Sequence, residues 1–158
     1  MSDDVWYFAY GSNMSIDQKE CRTGHIRAAC VARLPGYRLV FNKQGCKNNI
    51  YANIVPADGE EVWGVIYRCS PEAMSKLDGF EGVARGDYTR EQVEVVTESD
   101  KVVTAVAYVA GPDHICEEGR PSHCYLSKIL DGAREHGLPE EYIKGIEAAA
   151  RLGETDHE

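Results

Sequence analysis

No stretch of this chain stays apolar for the roughly 18 residues that a membrane-crossing helix needs, so no transmembrane helix is expected. A basic stripe is missing as well: 17 Lys and Arg stand against 26 Asp and Glu, a formal net charge of −9. That balance excludes an extended nucleic-acid surface, and an anionic membrane would repel it. The usual catalytic signatures are absent too. Ser12 does not lie in a Gly-x-Ser-x-Gly elbow, and no Cys and His form a recognisable protease signature. There is no Gly-x-Gly-x-x-Gly or phosphate loop, and no cofactor is expected. An enzyme with this sequence therefore has to act on a substrate that brings its own nucleophile.

The six cysteines (21, 30, 46, 69, 116 and 124) include no Cys-x-x-Cys pair. The N-terminal Met1-Ser2-Asp3-Asp4 is acidic where a secretion signal is basic and then apolar, so a cytoplasmic location and reduced thiols are expected. His114, Cys116, His123 and Cys124 carry ligand chemistry, but their spacing matches no common zinc module, and no metal is expected. At 158 residues, 43% hydrophobic and 27% charged, the chain suits one soluble domain spanning 1–158, with residues 153–158 a fraying polar tail.

The most informative stretch is the N-terminal one. Val5–Ala9 has β-branched and aromatic residues, then stops at Gly11-Ser12-Asn13. Ser15-Ile16-Asp17-Gln18 then has the spacing of a helix capping box. A strand, a tight loop and a helix start so close together aim several free backbone N–H groups at one spot, which suits a carboxylate or an oxyanion.

Further along, strands are expected at 28–34 and 37–41 around the turn signal Pro35-Gly36, with a polar loop at 42–49. Two more, at 50–55 and 62–68, flank Pro56-Ala57-Asp58-Gly59. A last pair is expected at 88–97 and 102–109, the final strand being apolar on both alternating sets and hence buried on both faces. Ser70-Pro71-Glu72 opens a short helix that Gly79 closes. The C-terminal third is helical, with Tyr125, Ile129 and Ala133 on one face and a final helix from Glu140 to about Leu152. The architecture these elements predict is α+β: a mixed or antiparallel sheet curled into a small barrel, with helices packed mostly at one end.

Glu81, between Phe80 and Gly82, is the candidate general base: a carboxylate partly shielded by Phe80, with a raised pKa. Its bland alternative is a solvated loop carboxylate.

Five segments, in order, resemble the γ-glutamylcyclotransferase family over nearly the whole length. They are Tyr7-Phe8-Ala9-Tyr10-Gly11-Ser12-Asn13, Cys30-Val31-Ala32-Arg33-Leu34, Glu61-Val62-Trp63-Gly64-Val65, Leu77-Asp78-Gly79-Phe80-Glu81-Gly82-Val83 and Glu135-His136-Gly137-Leu138-Pro139-Glu140-Glu141-Tyr142. The resemblance implies cyclisation of a γ-glutamyl-amino acid to 5-oxoproline, with Glu81 as catalytic acid and base. It implies a substrate cradle built by Tyr7, Phe8, Ala9, Tyr10, Gly11, Ser12 and Asn13, and contacts from Tyr88, Tyr108 and Tyr125, with Tyr125 ranked first. It also implies a small-molecule γ-glutamyl substrate, and makes a homodimer an expectation. The segments 42–49 and 111–122 match no family motif and are expected to select the leaving group. A γ-glutamylamine cyclotransferase, a non-catalytic γ-glutamyl-metabolite binding module and a thiol-dependent hydrolase are the alternatives.

Overall fold

The computed structural model describes residues 3–24, 28–45 and 49–151. Cys46 and the tail at 153–158 lie outside the described residues. Five strands form a closed barrel in the order β1-β3-β2-β4-β5: β1 (Val5–Ala9), β2 (Ala29–Gln44), β3 (Ile50–Cys69), β4 (Tyr88–Thr97) and β5 (Val102–Ala110). Neighbours run antiparallel except at the closure, where Tyr7 of β1 pairs in parallel with Val106 of β5. Four helices follow the expected order: α1 (Ile16–Thr23), α2 (Pro71–Phe80), α3 (His123–Glu135) and α4 (Glu140–Ala150).

Two expected turns are not turns. Pro35-Gly36 lies inside one continuous strand β2, and Pro56-Ala57-Asp58-Gly59 inside β3. Pro35 pairs with Glu61 and Tyr37 with Pro56, so residues 57–60 bulge opposite the single Gly36. The extra residues are absorbed with left-handed glycines, Gly36 at φ +81° and Gly59 at φ +80°. Long pairing on both sides of the bulge outweighs the local turn preference.

The helix after Ser70 also ends later than expected. Gly79 stays inside α2, Glu81 is its C-cap, and the left-handed glycine is Gly82 at φ +66°. In β5, burial on both faces holds only near Ala107 and Tyr108; Val102 is 65% exposed.

The buried core includes Phe8, Phe41, Ile54, Val62, Ile66 and Tyr67. Helices α1, α2 and α3 gather where β1 runs out. There α3 presses its backbone at Gly132 onto the turn at Ser12–Met14: a Cβ at Gly132 would lie 2.5 Å from both the Met14 carbonyl carbon and the Ser15 nitrogen. The barrel end and this helix cap together leave a cavity.

Candidate active site

That cavity measures about 580 Å³ and is lined by the loop after β1, the end of α2, the start of β4 and the start of α3. Its floor is the loop. A short 3₁₀ turn, Ser12–Met14, links β1 to α1, whose N-cap Ser15 accepts from the Gln18 backbone N–H. The second half of a capping box does not form. Instead the Gln18 amide donates to Ser12 Oγ (2.6 Å) and Asn13 Oδ1 (3.1 Å), tying α1 to the loop.

Asn13 is buried and fully used. Its Nδ2 donates to Tyr7 Oη (2.9 Å) and Glu81 Oε1 (3.3 Å), while Oδ1 also accepts from Arg22 Nη1 (3.2 Å). Behind the loop, Tyr67 Oη donates to the Asn13 carbonyl (3.0 Å) and His136 Nε2 lies 3.0 Å from the Met14 carbonyl. The loop is thus fixed from both sides.

Glu81 projects from the C-cap of α2 to this amide, with Arg22 Nη1 3.8 Å away and its side chain 17% exposed. Burial lifts its pKa above the ordinary carboxylate value, and the positive charges of Arg22 and then Lys43 pull against that rise. The shielding group is not Phe80, which is 55% exposed and carries the Arg22 guanidinium on its ring at 4.9 Å.

Five tyrosines surround this carboxylate, and burial raises the pKa of each, keeping all five hydroxyls protonated at neutral pH. Three donate inward: Tyr88 Oη to the Ala52 carbonyl (2.6 Å), Tyr108 Oη to Asp78 Oδ1 (2.7 Å) and Tyr10 Oη to the Tyr108 carbonyl. Tyr7 and Tyr125 instead accept, from Asn13 Nδ2 and from the Ala52 N–H (3.1 Å). A hydroxyl that accepts retains its own O–H to donate, so these two are equipped to give a hydrogen bond into the cavity.

Of the residues singled out from sequence, Tyr7, Tyr10, Gly11, Ser12, Asn13, Glu81, Tyr88, Tyr108 and Tyr125 all line the cavity. Phe8 and Ala9 do not: both are buried barrel core, with the Phe8 ring against Tyr10 and close to Gly64. The four His and Cys residues of 114–124 do not converge; His114 Nδ1 sits 3.3 Å from Asp87, while Cys124 is exposed on α3.

Four charged lining residues escaped the sequence reading: Arg22, Lys43, Arg85 and Asp87. Lys43 lies in the stretch expected as a polar loop, which β2 instead extends through to Gln44 past a register shift between Phe41 and Lys43.

Known proteins resemble this chain in sequence and fold. The model of the AIG2-like family matches residues 61–146. Proteins named gamma-glutamylcyclotransferase from Homo sapiens and Mus musculus are each 36% identical over 96% of this chain and 84% of their own length. A solved structure titled gamma-glutamyl cyclotransferase superposes with a TM-score of 0.84 at 33% identity, covering 92% of this chain and 88% of that one. Similar in sequence and fold over nearly its full length, the chain belongs to the γ-glutamylcyclotransferase family of enzymes.

Proposed function

We propose that this enzyme cyclises γ-glutamyl-amino acids, releasing 5-oxoproline and the free amino acid, with Glu81 moving the proton. The observation that carries the proposal is the Glu81 carboxylate: mostly buried, raised in pKa, and steered by Asn13 of the loop below it.

In the reaction the substrate α-ammonium first gives a proton to Glu81, because the protonated amine is not a nucleophile. The freed nitrogen attacks the γ-carbonyl carbon of the same molecule and closes a five-membered ring. The C–N bond to the second amino acid breaks as Glu81 returns its proton to that departing nitrogen, and the ring nitrogen sheds its second proton, which leaves the released amine as an ammonium. Attack is intramolecular, so the protein's main task is to hold a folded conformer. Free N–H groups of the Tyr10–Asn13 region and the O–H groups of Tyr7 and Tyr125 would hold the glutamyl part and meet the charge that grows on the carbonyl oxygen.

The direct test is 5-oxoproline release from γ-glutamyl-alanine by the purified protein. Turnover is expected; ligand-induced thermal stabilisation with no product would instead point to a binding module.

A pH profile tests the base. The acid limb of kcat/KM reports ionisation of Glu81 in the free enzyme, above the ordinary value of 4.5. Arg22 is the largest influence opposing that rise, so Arg22→Gln makes the carboxylate harder to ionise and should move the limb to higher pH. A limb that stays put, or moves down, would assign the titration to another group.

A further inference from the structure

Lys43, Gln44 and Gly45, and His114, bring to the cavity wall residues of the two segments that match no family motif, and the fold joins the two. Lys43 pairs with Ile115 across a bridge, and the Cys116 N–H donates to the Asn42 carbonyl at 2.7 Å. At this junction the Lys43 ammonium lines the cavity with its side chain only 5% exposed.

Among the described residues its ion-pair partner is Asp87, with Oδ1 at 3.4 Å, and that anion is shared. Arg85 Nη2 holds Asp87 Oδ2 at 2.9 Å, and His114 Nδ1 stands 3.3 Å from Oδ1. The Tyr88 and Tyr51 rings offer their faces to the ammonium at 5.3 and 6.0 Å, which supports a cation without neutralising it. Among the described lining residues Arg22, Lys43 and Arg85 outnumber Glu81 and Asp87 by one positive charge, inside a chain of net −9. Arg85 is 72% exposed and screened by water, so the excess acts chiefly through Lys43.

A γ-glutamyl-amino acid carries two carboxylates and one ammonium at neutral pH, a net charge of about −1 that complements this excess. A γ-glutamylamine without the second carboxylate is neutral overall. The loop, Glu81 and Arg22 serve the glutamyl half, which leaves one buried cation for the far half. We propose that Lys43, held by Asp87, binds the α-carboxylate of the leaving amino acid and selects amino-acid over simple amine leaving groups. The assignment rests on the cyclisation proposed above.

The test compares γ-glutamyl-alanine with γ-glutamyl-alaninamide, which differ only in the leaving-group carboxylate. For wild type, kcat/KM should favour the acid by about 10- to 100-fold, the range of a charge-assisted hydrogen bond. In Lys43→Met that preference should fall to near unity, and in Lys43→Arg most of it should remain. Any influence of Lys43 on Glu81 strikes both substrates alike and cancels in the ratio. Should the Met variant not fold, Lys43→Gln, which keeps a hydrogen-bonding partner for Asp87, is read the same way. A wild-type ratio near one, or a preference untouched by removing the charge, would overturn the role of Lys43. Release from neither substrate by wild type would instead overturn the cyclisation itself, and this inference with it.

Discussion

Glu81→Gln is expected to release 5-oxoproline from γ-glutamyl-alanine about 10²- to 10⁴-fold more slowly than the parent chain, the usual worth of a positioned acid–base group. The amide keeps the shape and the capping position at the end of α2, so the loss should fall on kcat far more than on KM. Stability supplies an independent sign. Burial raises the Glu81 pKa in the folded chain, so the native state holds this proton more tightly than the unfolded one. The corresponding stability is fully present below the unfolded value and lost as pH rises through the higher folded value. The Gln side chain stands in for the protonated acid, so at pH 7 to 8 the variant should melt higher than the parent, and the gap should close on acidification toward 4.5. An inactive variant that melts lower at neutral pH would mean that Glu81 works mainly as a structural partner of Arg22 and Asn13. Wild-type turnover in the variant would remove Glu81 from the chemistry altogether.

Much of this site was legible in the sequence because its parts are local. Strand β1, its abrupt stop, the Ser15 cap and the loop between them occupy consecutive residues, and Ser70-Pro71-Glu72 marks the start of α2 without help from elsewhere. What could not be read locally follows from pairing at a distance. Pro35-Gly36 and residues 56–59 are sound turn signals in isolation. Each becomes a bulge only because the other lies across the sheet with register held on both sides. Phe8 and Ala9 share a motif with cavity residues, yet both are buried in the core: the period of two in a strand turns Phe8 to the face opposite Tyr7, and the small Ala9 is covered by its neighbours. Arg22 and Lys43 matter through Glu81 and Asp87, which lie 59 and 44 residues along the chain, and no spacing rule joins such pairs. Even Phe80, the neighbour of Glu81 in sequence, turns outward to carry Arg22.

Gly132→Ala should both destabilise the protein and impair catalysis, although the residue is in a helix and touches no substrate. Two effects oppose each other. Alanine favours the helix by about 1 kcal/mol over glycine. Against that, the new Cβ would lie 2.5 Å from two backbone atoms, the Met14 carbonyl carbon and the Ser15 nitrogen, and backbone cannot rotate away as a side-chain tip can. Overpacking of this kind costs about 1–3 kcal/mol, occasionally more, and contact with backbone places it at the upper end. The net loss is then about 2 kcal/mol, or roughly 4–8 °C in Tm for a chain of this size. Relief requires α3 to lift away from the Ser12–Met14 turn, which carries Asn13 and through it the direction of Glu81. A displacement near 1 Å at the reacting groups is enough to lower kcat/KM about 100-fold. Gly145 in α4 provides the contrast, being exposed with nothing within 4 Å of an added Cβ. There the same substitution should raise Tm slightly and leave turnover alone. If Gly132→Ala melts at or above the parent and retains full activity, α3 is not pressed against the loop, and the rigid support assigned to Asn13 must come from Tyr67 and Gln18 instead.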